Sequence, residues 1–105
     1  MGVSKKELFT SSQNNVAKLA KAIAHPARIA ILEHLMKNAC VCGDLVDVLP
    51  LSQSTISQHL KELKSAGIIY GNISGTSVCY CINPKVWDEA KMVMNNFFNH
   101  FDGCC

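Results

Sequence analysis

The sequence predicts a mainly α-helical domain that carries one β-hairpin. Apolar side chains recur at helical spacing through the first two thirds of the chain and again near its end. Between these regions, the stretch IIYGNISGTSVCYCI (residues 68–82) alternates in polarity and is rich in β-branched and aromatic residues. With Ser74-Gly75 at its middle, this stretch is typical of a hairpin. A chain of 105 residues fits one domain, residues 1–105.

The first four helices are predicted from their apolar stripes and end signals. The first covers residues 5–24, and His25-Pro26 ends it because the residue before proline avoids the α-helical region. Pro26 suits the first turn of the second helix, where its missing N–H is not needed. A short third helix covers residues 43–49. The fourth covers residues 53–66, with Ser52 as N-cap and Gly67 as the C-terminal glycine.

A last helix follows Asn83-Pro84 and runs to about Phe101. Its apolar stripe is wide, and consists of Val86, Trp87, Ala90, Val93, Met94, Phe97, Phe98 and Phe101. A stripe this aromatic exceeds what one small domain can cover, so it predicts a homodimer interface.

Composition excludes several classes of protein. The chain has no apolar run near the ~18 residues of a membrane span, and MGVSKKELFT has no signal-peptide core. We therefore expect a cytoplasmic protein with no membrane partner. The net charge of +2 permits nucleic-acid binding without indicating it. No phosphate loop, nucleophile–base pair or carboxylate constellation is present, so no enzyme is expected.

A short helix, a turn, a second helix and a hairpin together describe a winged helix-turn-helix, in the order α-α-α-α-β-β-α. Once the apolar Ile56, Leu60 and Leu63 are set aside, the second helix of this motif presents compact donors and acceptors that suit the major groove of double-stranded DNA. The candidate DNA-binding residues are Gln53, Ser54, Thr55, Ser57, Gln58, His59, Lys61 and Lys64. The alternative is an ordinary solvated face, but such faces usually carry acid–base pairs, and this one has no acid before Glu62. For His59, a structural role within the protein is equally open.

The segments HPARIAILEHL, GDLVDVL and LSQSTISQHLKELKSAGII resemble the ArsR/SmtB family of bacterial metal-sensing repressors. The resemblance covers about residues 10–98. It implies a homodimer built on the first and last helices, with the fourth helix bound to an operator half-site. It also implies that an inducer weakens DNA binding and so releases transcription.

Two departures from the family pattern affect the expected contacts. The family's wing commonly carries Arg or Lys, whereas GNISGTSV carries neither, so phosphate binding is expected from Lys61, Lys64, Lys37 and Arg28. The family's zinc pattern on the last helix, Asp-x-His…His-x-x-Glu, is also missing, because Ala90 stands where the first histidine would be.

The six cysteines point to metal binding or thiol chemistry in a cytosolic chain. Cys40 and Cys42 match the Cys-x-Cys pair of arsenic- and cadmium-sensing family members, although Gly43 here separates the pair from Asp44-Leu45. Residues i and i+2 diverge on a helix but share a face in an extended segment, so an extended lead-in would let both thiols converge. Thiolates favour soft ions, with As(III) first among them and no permanent cofactor expected.

The other cysteines leave alternatives open. Cys104 and Cys105 end the chain and are candidates to complete a three-thiol site with Cys40 and Cys42. Cys79 and Cys81 share one face of the hairpin and are expected first as packing residues. A thiol-redox or reactive-sulfur sensor of the same fold, or a DNA-binding module with inert cysteines, are the alternatives to a metal-responsive repressor.

Overall fold

The computed structural model describes residues 8–38, 40–42, 45–74 and 77–103. Within these ranges the elements, in chain order, are α1 (Ser11–Ile23), α2 (Pro26–Asn38), β1 (Cys40–Cys42), a 3-10 helix (Leu45–Asp47), α3 (Gln53–Ser65), β2 (Ile69–Ser74), β3 (Ser77–Ile82) and α4 (Pro84–Asn99). The predicted mainly helical fold with one hairpin, a winged helix-turn-helix, is confirmed. None of the described helices is long and apolar enough to cross a membrane.

The first helix begins later than predicted. Thr10 forms a capping box with Gln13, in which the Thr10 side chain accepts from the Gln13 N–H and Gln13 Oε1 accepts from the Thr10 N–H at 2.9 Å. This arrangement starts a helix at Ser11, so Leu8 and Phe9 precede α1 and are exposed. The prediction of one helix over residues 5–24 is therefore wrong at Phe9 and Thr10, which interrupt it, while residues 5–7 lie outside the described residues.

The predicted ends of α2 and α3 are confirmed. Pro26 opens α2, where the Ala27 N–H donates to Nδ1 of His25 at 3.0 Å. Ser52 caps α3 by accepting from the Thr55 N–H. Beyond α3, Gly67 has φ +80°, a left-handed conformation that glycine adopts without a Cβ penalty.

Two other helices are shorter than predicted. In place of a helix over residues 43–49, the described part of that segment forms one 3-10 turn, Leu45–Asp47, before Pro50 stops any continuation. Residues 43 and 44, with the predicted cap Asp44, lie outside the described residues. α4 ends at Asn99 rather than at Phe101, and His100 is its C-cap.

The sheet has one strand more than the predicted hairpin. β2 and β3 form the hairpin, and β1 pairs with the free edge of β3, which gives the antiparallel order β1-β3-β2. The register places Cys40 opposite Cys81 and Cys42 opposite Cys79. A strand of three residues is too short for the alternation of its side chains to identify it in the sequence. Its pairing with β3 is what identifies it as a strand.

The core lies between α2, α3 and the first strand of the hairpin. Its fully buried side chains are Ile31, Leu35, Ile56, Leu63, Ile68 and Ile69. Each such burial contributes about 1.5–3 kcal/mol relative to exposure. Because Ile56, Leu60 and Leu63 all point inward from α3, the core fixes which face of that helix meets solvent.

Candidate functional site

The solvent face of α3 carries the predicted DNA-contacting residues. The exposed members are Gln53, Ser54, Thr55, Ser57, Gln58, Lys61 and Lys64. Local bonds order several of them: Gln53 Nε2 donates to Ser57 Oγ at 3.1 Å, and Gln58 Nε2 donates to Glu62 Oε1 at 3.3 Å. Short polar side chains on an exposed helix can bond base edges or phosphates, which is what major-groove recognition requires.

His59 is the exception among these residues, because it is 8% exposed and bonded inside the protein. Its Nδ1 accepts from Arg28 Nε at 3.1 Å, and its ring lies 4.3 Å from that of His25. The structural role that the sequence left open is therefore the one observed. Burial, followed by the charges of His25 and Arg28, lowers the pKa of His59 below its ordinary value.

Arg28 ties the first two helices to the recognition helix. Besides His59, its guanidinium binds backbone carbonyls, with Nη1 donating to Ala22 O at 3.0 Å and Lys21 O at 3.4 Å. These bonds use Nε and Nη1, two of the three nitrogens of the guanidinium. The phosphate contacts expected of Arg28 and of the exposed Lys37, Lys61 and Lys64 stay predictions.

Two of these lysines lie on the solvent face of α3. Lys61 and Lys64 are exposed on α3, and Nζ of Lys64 lies over Gly71 of β2, 3.6 Å from where a Cβ would stand. A positive charge thus lies between α3 and the wing hairpin. Residues 75 and 76, at the wing tip, lie outside the described residues.

Cys40 lies in an extended strand, as predicted, but its partner was not predicted. Cys40 is joined by a disulfide to Cys81, and the two Cα atoms are 4.0 Å apart. Cys79 is disulfide-bonded as well. Both side chains are buried, as expected for packing residues, and both sulfurs are also used in disulfides.

The cysteine positions of β1 and β3 lie on the face of the sheet that turns away from the core. Between them in sequence, Val41, Tyr80 and Ile82 pack against the core cluster, and alternate residues of a strand point to opposite faces. Cys79 and Cys81 are only 4% and 3% exposed, yet neither belongs to the core cluster. Both side chains are therefore buried on the face of the sheet opposite the main core cluster.

A signal in the sequence could have found this arrangement. Cys40-Val41-Cys42 and Cys79-Tyr80-Cys81 share one pattern, two cysteines flanking a β-prone residue. Two such patterns with period-2 spacing are what two paired strands with cysteines on one face would show.

The remaining predicted ligands are only partly visible. Cys104 and Cys105 lie outside the described residues, and for Cys42 the described feature is its backbone register with Cys79. Within the described part of the chain, no group of three or more His, Cys, Asp or Glu side chains is arranged to hold a metal ion. The Cys40–Cys81 disulfide contributes to this, because a disulfide sulfur has no thiolate to offer.

The C-terminal half of α4 and the residues just after it expose large apolar side chains. Phe97, Phe98 and Phe101 are 53%, 64% and 73% exposed, and Met92 is 65% exposed. Toward the start of the helix, Val86 and Trp87 pack against the core instead. The exposed aromatic side chains thus lie at the C-terminal end of α4 and just beyond it.

Comparisons with known proteins match the part of the chain that contains the helix-turn-helix. The family model described as "Bacterial regulatory protein, arsR family" matches residues 25–70. The HTH-type transcriptional repressor SmtB of Mycobacterium tuberculosis is 44% identical over 63 residues, which are 60% of this chain and 47% of that protein. The chain thus spans about half the length of that relative. The transcriptional repressor SdpR of Bacillus subtilis is 35% identical over 89 residues, 85% of this chain and 96% of SdpR.

A solved structure extends the likeness to the fold. The NMR structure of the cadmium metal-sensor CmtR from Mycobacterium tuberculosis matches with a TM-score of 0.54 and 34% identity. The match covers 64% of this chain and 69% of that one.

Proposed function

Because the chain belongs to the ArsR family of bacterial regulatory proteins, we propose that it is a dimeric transcriptional repressor that binds operator DNA through α3 and is released by a thiophilic ion. The observation that carries the DNA-binding part is the exposed face of α3. That face presents hydroxyls, amides and lysines, and its first acid is Glu62. Such a surface can approach phosphates without like-charge repulsion.

The inducer that the thiols favour is As(III), with Cd(II) and other soft ions as alternatives. Support comes from Cys40 and Cys42, which occupy i and i+2 of an extended strand and so take positions on one face. The likeness to SmtB and to the cadmium sensor CmtR is further support for an ion as the signal. In this proposal Cys40 and Cys42 are ligands of the inducer, with Cys104 or Cys105 as the third ligand expected from the sequence.

The route from the cysteines to DNA is short. β1 is followed at once by the 3-10 helix, and that helix precedes the turn into α3. A ligand that shifts β1 therefore shifts the element on which α3 rests. Release requires a coupling free energy of only about 1–3 kcal/mol, the usual range for linked sites.

A second candidate is a thiol-redox sensor, and the Cys40–Cys81 disulfide favours it. Two thiols form that disulfide by giving two protons and two electrons to an oxidant such as a hydroperoxide or a low-molecular-weight disulfide. In this version the covalent link between β1 and β3, rather than an ion, would change the DNA-binding geometry.

One titration separates the two candidates. The reduced protein selects its preferred duplex from a random library, and binding to that duplex is measured by fluorescence anisotropy at constant salt. As(III), Cd(II), Zn(II) and a hydroperoxide are then added in separate experiments. We expect release by As(III) or Cd(II). Release by the hydroperoxide alone would identify the redox sensor, and release by none would leave a DNA-binding protein with inert cysteines.

A further inference from the structure

We propose that the inducer site is a cross-strand site, in which Cys81 of the wing strand β3 supplies the third thiolate to Cys40 and Cys42 of β1. Cys79 stands beside this site as a fourth sulfur. This inference rests on the proposed function, since it names the ligands through which a thiophilic ion would act. It replaces the C-terminal Cys104 and Cys105 as the source of the third ligand.

The register of the sheet brings the thiols together. Cys40 faces Cys81 with 4.0 Å between their Cα atoms, and the next pair on the same face is Cys42 opposite Cys79. Directly opposed residues of antiparallel strands project to the same side of the sheet. The four positions therefore lie together on one surface, contributed by two strands whose nearest cysteines in the sequence, Cys42 and Cys79, are 37 positions apart (79 − 42).

The distance required for ligation agrees with the Cys40–Cys81 pair. For comparison, a zinc–sulfur bond of about 2.3 Å in a tetrahedral site places two sulfurs about 3.8 Å apart. Cys40 and Cys81 already approach closely enough to bond covalently, so in the reduced chain they need only separate to that spacing. The i and i+2 cysteines of each strand extend the site along the strand.

The surroundings of the cysteines suit a soft ion. Cys79 and Cys81 are almost fully buried but lie outside the core cluster, on the sheet face opposite Ile82 and Tyr80. On the other side of β3, their neighbours in β2 are Tyr70 and Asn72. Four sulfurs with no carboxylate in that row of the sheet select thiophilic ions over hard ones.

The binding step balances without electron transfer. Arsenous acid carries three hydroxides on As(III), and three thiols replace them, each proton leaving with one hydroxide as water. The ion and the disulfide require the same sulfurs, so only the reduced chain can bind. Reduction of the Cys40–Cys81 bond needs two electrons, which a thiol or phosphine reductant supplies.

The consequence for DNA binding differs from that of a C-terminal third ligand. A site between β1 and β3 connects the segment that leads into the helix-turn-helix with the strand that forms the wing. One ion would then hold both DNA-contacting elements in a single relative position. Two elements that bind one duplex must adjust to the same groove, so fixing them together is a direct way to weaken binding.

The test measures arsenite binding to the DNA-free protein, reduced with a phosphine because dithiol reductants themselves bind As(III). Reactive thiols per chain are counted with a chromogenic disulfide before and after arsenite, for the parent and for Cys81→Ser. The matched control is the pair Cys104→Ser with Cys105→Ser.

We expect the parent to lose three thiols per As(III). The Cys81→Ser variant should bind arsenite more than about 100-fold more weakly than the parent. Removing a group that only orients a metal ligand costs less affinity than this. The control should bind as the parent does.

A second measurement covers the case in which the Cys81 variant does not fold. In the parent, arsenite should slow alkylation of Cys81 but leave that of Cys104 unchanged, as read by peptide mass spectrometry. Two results would overturn the cross-strand site and leave the proposed function in place. One is arsenite binding that depends on Cys104 or Cys105 and not on Cys81. The other is an alkylation rate at Cys81 that arsenite does not change. Binding that depends on Cys81 without release of DNA would overturn the proposed function and leave the site.

Discussion

At the residue scale, His59 shows how one side chain of the recognition helix serves the fold rather than the DNA. Its buried ring accepts from Arg28 Nε, and Arg28 in turn holds the carbonyls that end α1. The cluster fixes α3 against the first two helices. A proton on Nδ1 would remove the acceptor and place a second positive charge beside Arg28.

This predicts a stability that depends on pH. The pKa of His59 is lowered in the folded protein, whereas in the unfolded chain it returns to about 6.5. Below pH 6.5 the unfolded state binds the proton more readily, so stability is full above that pH and falls as the pH drops through it toward the folded value. Urea unfolding at pH 7.5 and 5.5 measures this, and His59→Asn, which keeps an acceptor near Nδ1, is the comparison. If acidification lowers the free energy of unfolding equally in the parent and in His59→Asn, the effect comes from groups other than His59.

Two exposed residues of α3 give the most direct test of DNA reading. Ser57→Ala with Gln58→Ala should leave the fold intact and weaken operator binding, with each lost base contact costing about 1–3 kcal/mol. Competition with unrelated DNA at matched salt measures the selectivity. Glu33→Ala, exposed on α2, is the control and should bind as the parent does. If the double variant kept full affinity and selectivity, α3 would not be the reading element.

The helical period of the sequence was sufficient to predict which residues of α3 face solvent, because Ile56, Leu60 and Leu63 define the buried side. It was not sufficient for His59, which lies at the edge of that side. The partner that decides its role, Arg28, is 31 positions away in the chain. Local patterns carry no information on such a contact.

At the element scale, β1 is the feature that changes the view of the cysteines. Its three residues were correctly expected to be extended, but pairing with β3 depends on how α2 and the hairpin pack together. That packing is a tertiary property, so the short segment alone did not predict Cys81 as the neighbour of Cys40. The helix ends were easier, since Ser52, Pro26 and Gly67 act through local backbone chemistry.

The covalent link between β1 and β3 predicts a redox-dependent stability. A disulfide of this kind typically stabilises a protein by about 2–4 kcal/mol through the unfolded chain. Urea unfolding with and without a phosphine should show a difference of at least this size, because the phosphine also reduces the disulfide of Cys79. Cys40→Ser should remove the part due to the Cys40–Cys81 bond. Peptide mass spectrometry of the oxidised protein should recover Cys40 linked to Cys81. Recovery of Cys40 only with Cys104 or Cys105 would contradict the pairing.

At the scale of the whole molecule, the exposed aromatic face of α4 predicts assembly. Phe97, Phe98 and Phe101 are more than half exposed in the single chain, which is costly in water unless a second copy covers them. Sedimentation equilibrium should therefore show a dimer at micromolar concentration, and Phe98→Glu should shift it toward monomer. A symmetric dimer would bind two half-sites about 34–36 Å apart. A folded parent monomer at micromolar concentration would remove both expectations.

The measurement that tests the central claim most directly is arsenite-driven release of operator DNA from matched variants. The double substitution Cys40→Ser with Cys42→Ser removes the two cysteines of β1 and changes no residue of α3. Both this variant and the parent are reduced with a phosphine and bound to the same selected duplex, and arsenite is added while anisotropy is followed. We predict release from the parent and none from the variant, with DNA affinity before arsenite unchanged. Release from the variant at the parent's arsenite concentration would contradict the claim that β1 connects a thiophilic ion to DNA binding.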